Sequence, residues 1–218
     1  LGVNTALLPQ VHAPGESLGP LHPGVAALLG LPPETRVRAG TTDGVAGFLA
    51  AGAHAPGHGV TSLGSTLVLK LVSDRPVFSP AHGVYSHRLG DRWLTGGASN
   101  SGGAVLAQYF SAEELRALTL LLKPDVPTGL DYYPLPSTGE RFPVNDPALA
   151  PRLSPRPADR VVFLQGLLEG IARIEARGYE LLAELGAPRL TALWTGGGGA
   201  QNPAWERIRA RALKVEMR

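Results

Sequence analysis

Three short segments hold the residues whose types and spacing could do chemistry: Ala39-Gly40-Thr41-Thr42-Asp43-Gly44, Thr61-Ser62-Leu63-Gly64-Ser65-Thr66-Leu67, and Thr195-Gly196-Gly197-Gly198-Gly199-Ala200-Gln201-Asn202. Each follows or lies within a run that reads as a β-strand. Together they offer one isolated carboxylate and two turns of small residues with exposed backbone N–H groups. A carboxylate can take the proton of an attacking hydroxyl, and a turn without bulky side chains can bring its N–H groups close to a polyphosphate. The combination points to phosphoryl transfer onto an alcohol more than to hydrolysis or redox chemistry.

Each segment also has a plainer reading. Asp43 falls at a strand-to-helix junction, where Asp is a preferred N-cap, and a cap and a catalytic role are compatible. The glycine turn at Gly196–Gly199 joins free N–H groups to the positive end of a helix dipole, with Pro203 in the first turn and Asn202 as the cap. It lacks the Gly-x-Gly-x-x-Gly spacing and the Lys-Ser/Thr of the better-known phosphate loops, so a purely structural turn stays open.

The elements that must position these segments follow from pattern. Residues 1–35 are rich in Pro and Gly, with a short helix predicted near His22–Leu29, and read as a connector between lobes. A strand is expected over Arg36–Gly40 and a helix over Gly44–Ala51, with Val45, Phe48 and Leu49 on one face. Two hairpins follow, one closed by Gly64-Ser65 between Gly59–Leu63 and Thr66–Val72, the other by Gly90-Asp91 between Tyr85–Leu89 and Arg92–Thr95. A glycine-rich run, Gly96–Gly103, whose glycines suit close backbone approach, leads into an amphipathic stretch, Ala104–Phe110. Ser111 with Glu114 three residues on is a capping box that opens another helix.

Between Pro124 and Pro157 prolines break the pattern around a short strand at Asp131–Leu135 and a polar loop at Ser137–Asp146. Asp159–Leu185 is the longest helical pattern, and Gly166 and Gly170 within it indicate close packing. Arg189–Trp194 reads as a strand and Asn202–Leu213 as a helix.

Composition narrows the function classes. The chain has 218 residues, 44% of them hydrophobic, enough to fill a core, and 20 Lys+Arg against 18 Asp+Glu give a net charge of +2. Arg207, Arg209, Arg211, Lys214 and Arg218 form the dense basic run, read as the solvated outer face of a helix, because no aromatic residues interleave it as base-stacking would require. Nucleic acid is therefore not an expected partner. Without cysteine, disulfides and thiolate metal sites are excluded, and the six His have no metal-ligand spacing. No apolar run reaches membrane-spanning length and no signal-peptide layout is present, so a soluble, cytoplasmic protein is expected. The chain starts with Leu1 rather than Met and stops where a strand could be beginning, so it reads as a segment of something longer.

Taken in order, strand–TTDG–helix, the TSLGSTL hairpin, GGASNSGGAV, the helix LLEGIARIEARGYELL and strand–TGGGGAQNPAW–helix closely resemble the second half of the FGGY carbohydrate kinases, in particular their pentulose branch of D-ribulokinases and xylulokinases. The likeness runs from about Leu7 to the C-terminus. It implies an α/β fold, a ribonuclease H-like lobe of the actin/hexokinase/Hsp70 ATPase superfamily, with residues 1–35 as the end of the sugar-binding lobe and connector and 36–218 as a truncated nucleotide-binding lobe. By the same likeness Asp43 matches the general base, Gly64 and Ser65 the second-lobe phosphate hairpin, Gly102 a position near the β- and γ-phosphates, and Gly198, Gly199 and Asn202 the adenosine motif. ATP and Mg²⁺ are the implied cofactors, with the metal-associated Asp and most sugar contacts in the family's first lobe, so no metal ligand is expected in this chain. These residues alone are expected not to complete a catalytic cycle. The implied substrate is a small sugar, a pentulose such as D-ribulose or D-xylulose, and the likeness leaves room for a homodimer. A second reading keeps the fold and makes the protein a non-catalytic nucleotide-binding or assembly module. Asp43 separates the two, because a pure binding module needs no carboxylate there.

Overall fold

The structure is a computed structural model describing residues 4–218. The chain divides into two compact units, 1–46 and 47–218.

The first unit contains β1 (Ser17–Pro20), α1 (Pro23–Leu29) and β2 (Arg36–Arg38), with α2 (Asp43–Ala50) opening at its end. Strands β1 and β2 pair antiparallel. His22 caps α1 through a ring nitrogen that accepts from Gly24 N–H at 3.2 Å, and Pro23 takes the first-turn position that needs no donor. β1, with its own glycine and proline, carried no strand pattern in the sequence. In α2 Val45 and Phe48 are buried as the spacing requires, whereas Leu49 is 52% exposed.

The second unit is built on a six-stranded mixed sheet of order β5-β6-β4-β3-β7-β8. Its strands are β3 (His58–Leu63), β4 (Leu67–Ser73), β5 (Tyr85–Leu89), β6 (Arg92–Ser99), β7 (Ala192–Gly196) and β8 (Glu216–Met217). β3–β4 and β5–β6 are antiparallel hairpins joined through antiparallel β4 and β6 rather than β4 and β5, and β7 joins β3 in parallel, followed by β8. Helices α3 (Gly103–Ala107), α4 (Ala112–Thr119), α5 (Arg160–Glu184) and α6 (Pro203–Leu213) complete the unit. Both hairpins occur where the turn residues placed them. β6 continues past its expected end at Thr95, through Gly96 and Gly97. Any side chain at Gly97 would occupy the place of the Phe142 ring, so these glycines serve the close approach expected of them, within a strand.

α5 carries the core. Asp159 caps it by accepting from Val161 and Val162 N–H, and Phe163, Leu164, Leu167, Leu168, Ile171 and Ile174 are all at most 3% exposed. Gly166 lies against Leu130 and Tyr132, and Gly170 against Pro134, which accounts for both glycines as points of close approach. The strand expected at Asp131–Leu135 does not form. The backbone there makes one isolated bridge, Tyr133 to Arg152, because the prolines leave too few donors for a ladder.

The basic run is not a solvated face. Arg207 does reach outward, to Asp125, but Arg211 turns to the buried Glu169 and the Pro124 carbonyl, and Arg209 is 1% exposed. Residues two apart on a helix lie on nearly opposite sides, so α6 could not keep 207, 209 and 211 on one face. Arg209 donates through Nε and Nη2 to both carboxylate oxygens of Glu175 on α5, at 2.6 and 2.7 Å, and through Nη1 to the Thr195 hydroxyl on β7 at 2.8 Å. Removing one partner strands the other charge in the interior. Arg209→Met is therefore expected to destabilise the protein by about 3–5 kcal/mol, while Arg209→Met with Glu175→Leu recovers most of that loss. Denaturant midpoints of the two variants check this, and equal destabilisation in both would show that the pair's charge is not what the site depends on.

Candidate functional site

The site is assembled from turns at the C-terminal ends of β3 and β7, where parallel neighbours pair Ser62 with Gly196. Open α/β sheets leave a crevice at such strand ends. Gly64, Ser65 and Thr66 form the β3–β4 turn, and it is backed by the Ser99–Ala104 loop. Gly103 N–H donates to Gly64 O at 2.8 Å, Ala104 N–H to Ser65 O at 3.0 Å, and Leu67 N–H to Ser101 O at 2.7 Å. This fixes the carbonyls on one side. Among the described residues the N–H groups of Ser65 and Thr66 donate to no acceptor, so the tip presents two free donors.

Gly102 sits where this loop touches the turn. At φ 145° it adopts backbone that L side chains rarely enter, and a Cβ would come within 2.8 Å of the Ser65 carbonyl oxygen and Thr66. It is buried packing against the turn, and it is Gly103 and Ala104 that line the adjacent cavity.

The third segment turns at Gly197, runs through a 3₁₀ turn over Gly198–Gln201 and enters α6 at the Asn202 cap. A Cβ on Gly197 would meet Leu63 at 2.6 Å, and one on Gly199 would meet Leu63 and Trp205 at 2.7 and 2.6 Å, so this turn lies directly on the end of β3. Gly198 differs: a Cβ there meets nothing within 4 Å. Asn202 Oδ1 accepts from Trp205 N–H at 2.9 Å, and Nδ2 donates to the Thr119 hydroxyl at 3.1 Å, clasping α6 to the end of α4.

These turns border one cavity of about 990 Å³. Leu63, Gly64, Ser65, Gly198, Gly199 and Asn202 contribute one side, and the α4 residues Leu115, Arg116 and Thr119, with Leu120 beyond the helix, contribute another. Leu164 and Leu168 of α5 close it with apolar surface. A largely apolar wall with a few convergent polar groups suits a small molecule that carries a flat apolar part and a charged part. The α4 wall was not read from the sequence as part of the site. Its one signal was the capping box, which forms as predicted, Glu114 N–H to Ser111 Oγ at 3.1 Å and Ser111 N–H to Glu114 Oε2 at 2.9 Å.

Asp43 belongs to the first unit. It is the first residue of α2 and exposed, its Oδ1 accepting from Gly44 N–H at 2.7 Å. The helix is capped one residue earlier, where the Thr42 hydroxyl accepts from Val45 N–H at 3.4 Å. The carboxylate is thus not needed as the N-cap. Among the described residues no group of three or more His, Asp or Glu is placed to hold a metal ion, and no helix is long and apolar enough to cross a membrane.

Comparison with known proteins agrees with this geometry. Xylulose kinase of Bacillus subtilis (strain 168) is 28% identical over 232 residues, which covers 99% of this chain and 46% of that protein. Gluconokinase of the same organism is 29% identical over 115 residues, 51% of this chain and 21% of that one. The chain spans about half the length of the xylulose kinase it matches, or less for the gluconokinase. Among solved structures, a xyloylose kinase from Brucella ovis superposes with a TM-score of 0.85 at 27% identity, covering 99% of this chain and 46% of that one. Gluconate kinase from Lactobacillus acidophilus reaches a TM-score of 0.85 at 18% identity, a likeness of fold. The fold is therefore that of the actin/hexokinase-like ATPases, an α/β lobe of the kind these kinases share. The C-terminal domain model of the FGGY carbohydrate kinases matches residues 59–218, and the chain belongs to that family.

Proposed function

We propose that this chain is the nucleotide-handling part of an ATP-dependent sugar kinase that transfers a phosphoryl group to a hydroxyl of a pentulose. The observation that carries the reading is the meeting of the Gly64–Thr66 turn, with its two free N–H donors, and the Gly197–Asn202 turn at one cavity. The preference for a pentulose of the D-xylulose or D-ribulose kind rests on the xylulose kinase likeness along nearly the whole chain. The gluconokinase likeness covers about half of it. On this reading residues 1–35 close the sugar-binding lobe and connect it to a nucleotide-binding lobe over 36–218.

The residues fit ATP. The apolar surface of Leu164 and Leu168 on α5, with Leu115 and Leu120, suits the base, and the free amides of Ser65 and Thr66 suit phosphate oxygens, on which charge builds as the phosphoryl group leaves. Gly64 and Ser65 bring that backbone close, and Gly102 holds the turn from behind. Gly198 and Gly199 offer a flat approach for the base and ribose, with Asn202 fixing the turn. Mg²⁺ needs no dedicated protein cage, since it is commonly held by phosphate oxygens and water, and its binding would add charge neutralisation at the phosphates. Asp43 is the proposed base: its carboxylate accepts the proton that the sugar hydroxyl gives up as its oxygen bonds to phosphorus, which makes a weak nucleophile competent.

Two substitutions test this in the full-length protein. Gly198→Val adds a side chain where the structure has room for it without disturbing Leu63 or Trp205. It should leave the melting temperature nearly unchanged and weaken ATP binding by about tenfold or more, measured by calorimetry, through obstruction of the approach. Unchanged affinity would mark the turn as structural.

For Asp43→Asn the expected fall in kcat is about 10²–10⁴-fold with ATP affinity preserved. Because Thr42 provides the cap, the stability cost is limited to the lost charge in the first turn, under about 1 kcal/mol. A variant that phosphorylates its sugar at close to the parent rate would remove the catalytic role and favour the binding-module reading.

A further inference from the structure

Glu140 is 2% exposed and lies in the polar stretch between Ser137 and Asp146, away from the cavity. No Lys or Arg side chain pairs with it among the described residues. Four donors surround it instead: Asn100 N–H at 2.7 Å and Arg141 N–H at 2.8 Å on Oε1, Ser99 Oγ at 2.6 Å and Tyr133 Oη at 3.2 Å on Oε2. Burial, and then the Glu140 charge, push the Tyr133 hydroxyl well above the usual phenol range, so it stays a donor. A buried carboxylate without a cation costs several kcal/mol unless its lone pairs are filled, and here they are filled by donors.

What those donors belong to gives the group its significance. Ser99 and Asn100 open the loop that backs the β3–β4 turn. The Ser99 hydroxyl also accepts from Ser101 N–H at 3.0 Å, and Asn100 Nδ2 donates to Gly139 O at 2.9 Å. From Ser101 the chain of bonds continues through Leu67 N–H, Gly103 N–H and Ala104 N–H to the turn itself. Each hydrogen bond on the way from Glu140 to Ser65 is 3.0 Å or less, and the backbone from Ser101 to Ala104 joins them.

We propose that Glu140 is a positioning residue for the Gly64–Thr66 turn, setting the direction of its free N–H donors through the Ser99–Ala104 loop. As a matter of nucleotide handling, this rests on the reading of the cavity given above. The carboxylate never touches the ligand. It pins the end of β6 and the three residues that follow, which have no ladder of their own, and these carry the constraint to the turn.

The experiment compares Glu140→Ala, Glu140→Gln and Ser99→Ala in the full-length protein by amide hydrogen exchange and by KM for ATP and for sugar. The glutamine can keep Oε1 as acceptor for both N–H groups while the Ser99 and Tyr133 hydroxyls turn to accept from Nε2, so it should stay within about threefold of the parent on every reading. Glu140→Ala should raise exchange at the bonded amides of Gly64, Leu67, Gly103 and Ala104 and raise the ATP KM by about tenfold, with the sugar KM held within about twofold. Should that variant fail to fold, Ser99→Ala breaks the same chain at one link and should give the same selective rise, about three- to fivefold. Exchange unchanged at Gly64 and Leu67, or ATP and sugar KM rising together, overturns the proposal. A parent protein that turns over no ATP removes the functional reading instead, and the exchange measurement then decides on its own whether Glu140 holds the turn.

Discussion

The structure depends on a charge pair placed where water cannot reach it. Arg209 and Glu175 are 1% and 0% exposed, and at those depths the desolvation cost is recovered only if every donor of the guanidinium fork that faces a partner meets it in good geometry. The fork meets Glu175 twice and Thr195 once, so α5, α6 and β7 are tied at a single point. Next to it Tyr179, held protonated by burial, shares a hydrogen bond of 3.0 Å with Thr61, the register partner of Thr195 on β3. The two threonines stand just ahead of the two turns that border the cavity. A polar layer under the sheet thus sets the heights of both strand ends, and an apolar layer of similar volume would set them less sharply.

Above that layer, glycine does the fitting. Gly197 and Gly199 rest on Leu63, Gly102 on Ser65 and Thr66, so three chain segments far apart in sequence approach to backbone distance around one turn. Such contact removes the slack that a Cβ on each residue would introduce. It also explains why the 131–152 region, though nearly free of regular structure, is not a loose cover. Phe142 fills the space over Gly97 and Gly178, and Glu140 ties to Ser99 and Asn100, so this stretch works as a strut against the sheet.

Local signals were legible in the sequence and long-range ones were not. The Ser111–Glu114 box, the Asn202 cap, the period of α5 and the small-residue turns are set within a few residues, and the structure has them in place. Arg209 was misread because a dense run of basic residues in and just beyond a short helix looks like a surface, and its acid lies 34 positions earlier. Glu140 was lost in a polar stretch because its partners Ser99 and Asn100 lie about 40 positions away. The strand was expected to stop at Thr95 because Gly96 and Gly97 carry no strand pattern, and what they admit, the Phe142 ring and the Leu69 carbonyl, lies far off in sequence. In each case the deciding interaction is tertiary, and helical or strand periodicity carries no trace of it.

Asn202 shows how the same limit applies to residue roles. Motif likeness places it at the adenosine, yet its side chain is largely committed: Oδ1 to the Trp205 N–H and Nδ2 to the Thr119 hydroxyl. One N–H and one lone pair remain for anything in the cavity. Its stronger effect is mechanical, since the two bonds it makes fix the start of α6 against the end of α4, and both helix ends line the cavity. A residue can therefore belong to a binding motif chiefly by setting the width of the site, and the hydrogen bonds it has already made are what reveal that role.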